Sequence, residues 1–97
     1  MSADSVWYLY LLECTGDTIY TGITTDVERR FAEHLSGKGA KYTRSRKPIR
    51  IMARLRFETK SEALKAEIEI KQMSSAQKRA FCAQHQMSAS SSSQESI

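Results

Sequence analysis

No stretch of this chain is apolar for long enough to cross a bilayer. The longest apolar run, Val6 to Leu12, falls far short of the roughly 20 residues a spanning helix needs. The N-terminus has no charged-then-apolar leader pattern. Cysteine is scarce as well: Cys14 and Cys82 stand alone, without metal-ligand spacing, as two free thiols do in a reducing compartment. The expected location is cytoplasmic, with no membrane partner. With 97 residues, the chain is too short for a second core. One domain is expected over 1–86, followed by a Ser-rich tail over 87–97 with almost nothing to bury, read as disordered. Acid is missing where base is dense. Eight of the fifteen Lys and Arg residues lie between Ser36 and Phe57, and none of the eleven Asp and Glu does. Such a concentrated positive field on an otherwise acidic chain is the footprint of a polyanion partner.

What is present reads as alternating strands and helices. Val6 to Leu12 is rich in aromatic and aliphatic residues and suits a central strand buried on both faces. Glu13 to Asp17 suits a hairpin turn, and Thr18 to Gly22 the returning strand. A hairpin symmetric about Thr15 sets Tyr10 opposite Tyr20 and Tyr8 opposite Gly22, so two phenols share a face. Such a pair also stabilises a sheet with no function attached.

A helix is expected from Asp26 to Leu35, with Thr25 and Glu28 as a capping box and Ser36-Gly37 as its end. Val27, Phe31 and Leu35 form its buried stripe. Arg30 and His34 are four apart, one turn above the other, near a helix start that favours anions. Read plainly, Arg30 is a border arginine and His34 a surface histidine. A basic loop follows, Lys38 to Pro48, with Lys38, Lys41, Arg44 and Arg46 to neutralise phosphates and Tyr42 to stack on a base.

Ile49 to Phe57 alternates cleanly. Ile49, Ile51, Ala53, Leu55 and Phe57 should enter the core, leaving Arg50, Met52, Arg54 and Arg56 outside. That outer face either extends the basic surface or protects an edge strand. Thr59 and Glu62 cap a helix to about Met73, with Ala63, Ala66, Ile70 and Met73 inward and Leu64 and Ile68 alongside. Glu67 falls within that stripe. It is either a border carboxylate paired with Lys71 or a lone metal ligand, since magnesium is often held by one or two carboxylates. Ser74 and Gln77 cap a last helix, about Ser75 to His85, packing through Ala76, Ala80, Phe81 and Ala83. His85 is a favourable charge near its end.

Together these features resemble the GIY-YIG nuclease family, in particular its small single-domain bacterial members. The resemblance spans about Trp7 to Met73. It rests on tyrosines ten apart, the Tyr20-Thr21-Gly22-Ile23-Thr24 turn, the Arg30-X3-His34 helix, and Glu67 ahead of Ile70-Lys71. Tyr8 stands where the first signature element usually has glycine, and Thr21 replaces the isoleucine of the second.

The resemblance implies an α+β fold, a three-stranded antiparallel sheet flanked by helices. It implies a divalent-metal-dependent endonuclease acting on phosphodiesters of nucleic acid, DNA in preference to RNA, in repair or processing. Tyr10, Tyr20, Arg30, His34 and Glu67 take the catalytic positions, with Glu67 holding Mg²⁺ or Mn²⁺. Arg30 would bind the phosphate. Either tyrosine could orient or deprotonate the attacking water, and His34 could move a proton or position a tyrosine. Many family nucleases add target-selecting domains beyond the single one expected here, so a protein partner for targeting is a further expectation. The alternative is a non-catalytic nucleic-acid-binding module on the same fold.

Overall fold

The computed structural model describes residues 6–95, with side chains through residue 85. In order, the elements are β1 (Trp7–Cys14), β2 (Thr18–Thr24), α1 (Val27–Leu35), α2 (Lys41–Ser45), β3 (Pro48–Phe57), α3 (Lys60–Lys71) and α4 (Ser75–Glu95). The apolar run at the start of the chain becomes the middle of a three-stranded antiparallel sheet, in the order β2-β1-β3. Leu9, Leu11 and Leu12 on β1 are wholly buried, and each such side chain is worth about 1.5–3 kcal/mol over leaving it in water. With helices on both sides of that sheet, the fold is α+β.

The two faces bury different chemistry. On one, Leu9, Leu11, Ile19, Met52, Ala53, Ile70 and Cys82 form a core, with Ala66 of α3, Phe81 of α4 and Met73 between those helices packed on it. On the other, Tyr10, Leu12, Cys14 and Val27 meet Tyr8, Tyr20, Phe31 and Ile51 beneath α1. Alternation along β1 sorts its residues between the two. Every polar feature of interest on β1 and β2 therefore lies on the α1 side or at the β2 edge.

The hairpin turns later than a loop symmetric about Thr15. Gly16 and Asp17 take positive φ, 79° and 60°, and the reversal centres on Gly16. Tyr10 therefore lies opposite Gly22, Leu12 opposite Tyr20, and Tyr8 opposite Thr24. Each partner moves by two residues, which returns every side chain to its own face. The two tyrosines stay on one face, now as diagonal neighbours.

Strict alternation fails on β3. Its register against β1 slips between Leu11 and Leu12 and again between Glu13 and Cys14, where Met52 and Ile49 are passed over. Each extra residue reverses the alternation beyond it. Met52 is consequently buried, Ile49 is 55% exposed, and Ile51 turns to the tyrosine face. The outward arginines do not form an open basic strip. Arg50 pairs with Glu13 at 2.7 Å, Arg54 with Glu28 at 2.5 Å and Arg56 with Glu58 at 2.9 Å.

Helix boundaries follow their caps. Thr59 accepts from the Glu62 amide, and Ser74 and Gln77 bond reciprocally, as expected. At α1 the cap is Asp26, whose Oδ1 accepts from the Arg29 amide at 3.1 Å. Thr25 is exposed, and Glu28 is engaged by Arg54. Leu35, Leu64 and Ile68 are also exposed, so the α1 and α3 stripes are narrower than their sequences suggest. On α4, Cys82 is buried while Ala76, Ala80 and Ala83 face outward. His85 does not end the helix; its ring lies 4.2 Å from Phe81. The Ser-rich tail from Met87 falls outside the described side chains, and the α4 backbone is helical to Glu95. Among the described residues no helix is long and apolar enough to cross a membrane.

Candidate active site

Tyr10 is the innermost member of the site, 1% exposed on the central strand. Its hydroxyl lies 2.9 Å from Nε2 of His34, itself 1% exposed on the last turn of α1. His34 is therefore no surface histidine. Its other nitrogen, Nδ1, lies 2.7 Å from Oγ1 of Thr43. Thr43 belongs to α2, a short helix inside the segment that its composition suggested was all loop.

The proton positions follow from donor counting. A threonine hydroxyl has one hydrogen. That of Thr43 is donated to the Ala40 carbonyl at 2.9 Å. Thr43 must then accept from His34, so Nδ1 carries the proton. In a neutral imidazole Nε2 is left as acceptor, and Tyr10 donates to it. One directed chain runs from the phenol through the imidazole and hydroxyl to a backbone carbonyl.

Electrostatics agree with a neutral ring. Burial pushes the His34 pKa below its ordinary value, and the Arg30 guanidinium pushes it further, against a smaller pull from Glu33. Burial also drives the Tyr10 phenol well above its ordinary value. Tyr20 adds to this, and Arg30 opposes it without prevailing. Near neutral pH, Tyr10 is an un-ionised phenol and His34 a neutral imidazole that accepts from it.

Two glycines make room for this pair. A Cβ on Gly22 would sit 2.7 Å from the Tyr10 hydroxyl, and one on Gly39 would sit 2.1 Å from Nδ1 of His34. The signature glycine of β2 and the glycine entering α2 thus act as contact surfaces for the two rings.

From this buried pair an aromatic series leads outward. The Tyr20 ring lies 6.1 Å from Tyr10 and 5.0 Å from His34, and Tyr42 lies 5.6 Å beyond Tyr20. Tyr20 is half-buried and Tyr42 is 38% exposed. Of the two signature tyrosines, Tyr20 is the one that reaches the surface. Arg30 is also half-exposed, with one guanidinium nitrogen on Glu33 at 2.7 Å. The same guanidinium also hydrogen-bonds the Tyr10 phenol, and its half-exposed face is open to an anion. Lys38, Lys41, Arg44 and Arg46 are exposed around Tyr42, and among the described residues no carboxylate lies within ion-pair distance of them.

Glu67 approaches from the other side of the sheet. It is on α3, its side chain is 16% exposed, and Lys71 holds its Oε2 at 3.3 Å. Lys71 in turn lines a cavity of about 380 Å³ at the β2 edge, together with Tyr20, Thr21 and Tyr42. Through Lys71, Glu67 is linked to the wall that the two phenols share. Among the described residues no three His, Cys, Asp or Glu side chains gather as a metal cage. A single carboxylate is the kind of donor with which a magnesium or manganese ion is held when it keeps water and takes phosphate oxygens.

Thr43, Gly39 and the cavity lysine Lys78 were not legible as site residues. Gly39 carries a weak signal, because a glycine between basic residues marks a close backbone approach. Thr43 lies nine residues beyond His34, off any helical or strand period that would align the two.

Comparison with known proteins matches the chain and its fold. A model of the GIY-YIG catalytic domain matches residues 6–80. A UPF0213 protein of Cupriavidus necator is 87% identical over 84 residues, covering 87% of this chain and 91% of that one. A UPF0213 protein of Halobacterium salinarum is 53% identical over 76% of this chain and 96% of its own. Two solution structures are similar. The UPF0213 protein BH0048 from Bacillus halodurans has a TM-score of 0.51 at 47% identity, covering 80% of this chain and 83% of its own. The protein EF2693 from E. faecalis has a TM-score of 0.59 at 41% identity, covering 84% and 88%.

Proposed function

The chain belongs to the GIY-YIG family, and from that premise we propose that it is a divalent-metal-dependent endonuclease that hydrolyses phosphodiester bonds of nucleic acid, DNA in preference to RNA, in repair or processing. The observation that carries this reading is the directed chain Tyr10–His34–Thr43 set behind a surface phenol and a half-exposed arginine. A binding module has no use for a buried proton acceptor.

In this reading the strand lies along Lys38, Lys41, Tyr42, Arg44 and Arg46. Arg30 binds the scissile phosphate and stabilises the charge that grows on it in the transition state. Glu67 would hold Mg²⁺ or Mn²⁺, which when bound supplies Lewis-acid stabilisation of the phosphate and the departing oxygen. Tyr20 meets the attacking water. Behind it, Tyr10 passes its proton to Nε2 of His34 as a proton arrives from the water side. A P–O bond forms to the water oxygen, the bond to the leaving oxygen breaks, and that oxygen takes a proton from solvent. The imidazolium left behind holds donors toward both Tyr10 and Thr43.

One observation favours the alternative, a nucleic-acid-binding module: the Glu67 carboxylate already has a cation in Lys71. Metal-dependent cleavage of labelled single-stranded, duplex, flapped and branched DNA and hairpin RNA separates the two. Cleavage that needs Mg²⁺ or Mn²⁺ and is lost in folded Glu67→Gln supports the nuclease. Salt-sensitive binding without cleavage supports the module.

A further inference from the structure

The cavity at the β2 edge contains a cation that the proposed chemistry does not use. Its walls are Ile19, Tyr20, Thr21, Tyr42, Lys71 and Lys78. Lys71 has a carboxylate partner in Glu67. Lys78, on the first turn of α4, is half-buried, and no carboxylate lies within ion-pair distance of it among the described residues. Burial pushes its pKa below the ordinary lysine value, and the neighbouring Lys71 charge pushes it the same way. A half-buried ammonium beside a second ammonium is unfavourable in isolation and is relieved by an anion.

A second observation stands in the same wall. Thr21 is 2% exposed, and its Oγ1 is the one buried side-chain polar atom among the described residues without a hydrogen-bond partner. Two lysines from different helices, an unpartnered hydroxyl and two phenols thus line a space of about 380 Å³. That space is ample for a phosphate and its sugar.

We propose that this cavity binds a phosphate group of the nucleic acid, in addition to the one at Arg30, with Lys78 as its principal ligand. The inference rests on the nuclease reading and deepens it: the protein holds its substrate at a second phosphate, around the β2 edge from the reacting one. That phosphate is either an internal phosphodiester flanking the cut or a terminal monophosphate.

Binding of short labelled single strands, with and without a terminal phosphate, tests this in metal-free buffer over a range of salt. Lys78→Met keeps the aliphatic stem and removes the charge. The expected result is a several-fold weaker affinity and a log–log salt slope shallower by about 0.7, the loss of one phosphate contact on a single strand. Equal weakening for both strands identifies an internal phosphodiester. A gain from the terminal phosphate in wild type that vanishes in the variant identifies the terminus. Unchanged affinity and slope in a variant with wild-type melting overturn the second site and leave the nuclease reading standing. Failure of wild type to bind any strand at low salt overturns both. Should Lys78→Met not fold, wild-type amide shifts on titration with pTpT decide: changes at Thr21, Tyr42 and Lys78 support the site, and their absence there overturns it.

Discussion

Thr43 fixes the proton on His34: its Oγ1 lies 2.7 Å from Nδ1, and its own hydrogen is committed to the Ala40 carbonyl. Thr43→Val keeps the shape and removes the acceptor, leaving a buried N–H unpaired. That should cost about 1–3 kcal/mol of stability by urea unfolding. It also frees the ring to take the other tautomer, so cleavage should fall by about 10²–10⁴-fold, the usual contribution of a general acid–base group. Thr43→Ser should restore most of both. Equal rates in Val and Ser variants would show that the tautomer is not held here.

Gly39 has no room to become anything larger. Its Cβ would meet Nδ1 of His34 at 2.1 Å. Gly39→Ala should displace α2 or the imidazole and destabilise the protein by about 1–3 kcal/mol, in the range of overpacked cores. Thermal unfolding measures it. A wild-type melting point in that variant would mean the loop does not close on the ring.

The two sets of basic residues should behave differently toward nucleic acid. Lys38, Lys41, Arg44 and Arg46 are free of carboxylates, whereas Arg54 and Arg56 are engaged by Glu28 and Glu58. Each alanine substitution in the first set should reduce the salt slope of binding by about 0.7–0.9. Arg56→Ala should leave it unchanged. The same loss at both would move the strand onto β3.

The general plan was legible because it rests on local chemistry. The apolar run Val6 to Leu12, which becomes most of β1, and the Thr59 and Ser74 caps need no tertiary information. The signature positions Tyr10, Tyr20, Arg30 and His34 were legible because they come with a recognisable spacing. Ile49 and Met52 were misplaced because a register slip leaves no mark in an alternating sequence. The burial of His34 was hidden for a similar reason. Its partners come from β1 and α2, 24 residues before it and 9 residues after it. Leu64 and Ile68 show the converse, apolar residues on a helix whose core contact is only as wide as the sheet edge beneath it.

Acid should weaken the fold through His34. Its pKa in the folded protein lies below the value near 6.5 that it has when unfolded. Between those two values the unfolded chain binds more protons, so stability rises with pH. Urea midpoints should therefore be level above about pH 6.5 with respect to this group and fall as pH drops below it. His34→Gln should flatten that fall. An identical acid limb in the variant would assign it to other groups.

The most direct test of the account is the single-turnover cleavage rate from pH 5 to pH 10 at saturating Mg²⁺. With neutral His34 taking up the proton, the rate should rise through a pKa below about 6.5 and then stay level. A rate that instead climbs tenfold per unit toward pH 10 would place the base on a tyrosine, and no cleavage at any pH would contradict the nuclease itself.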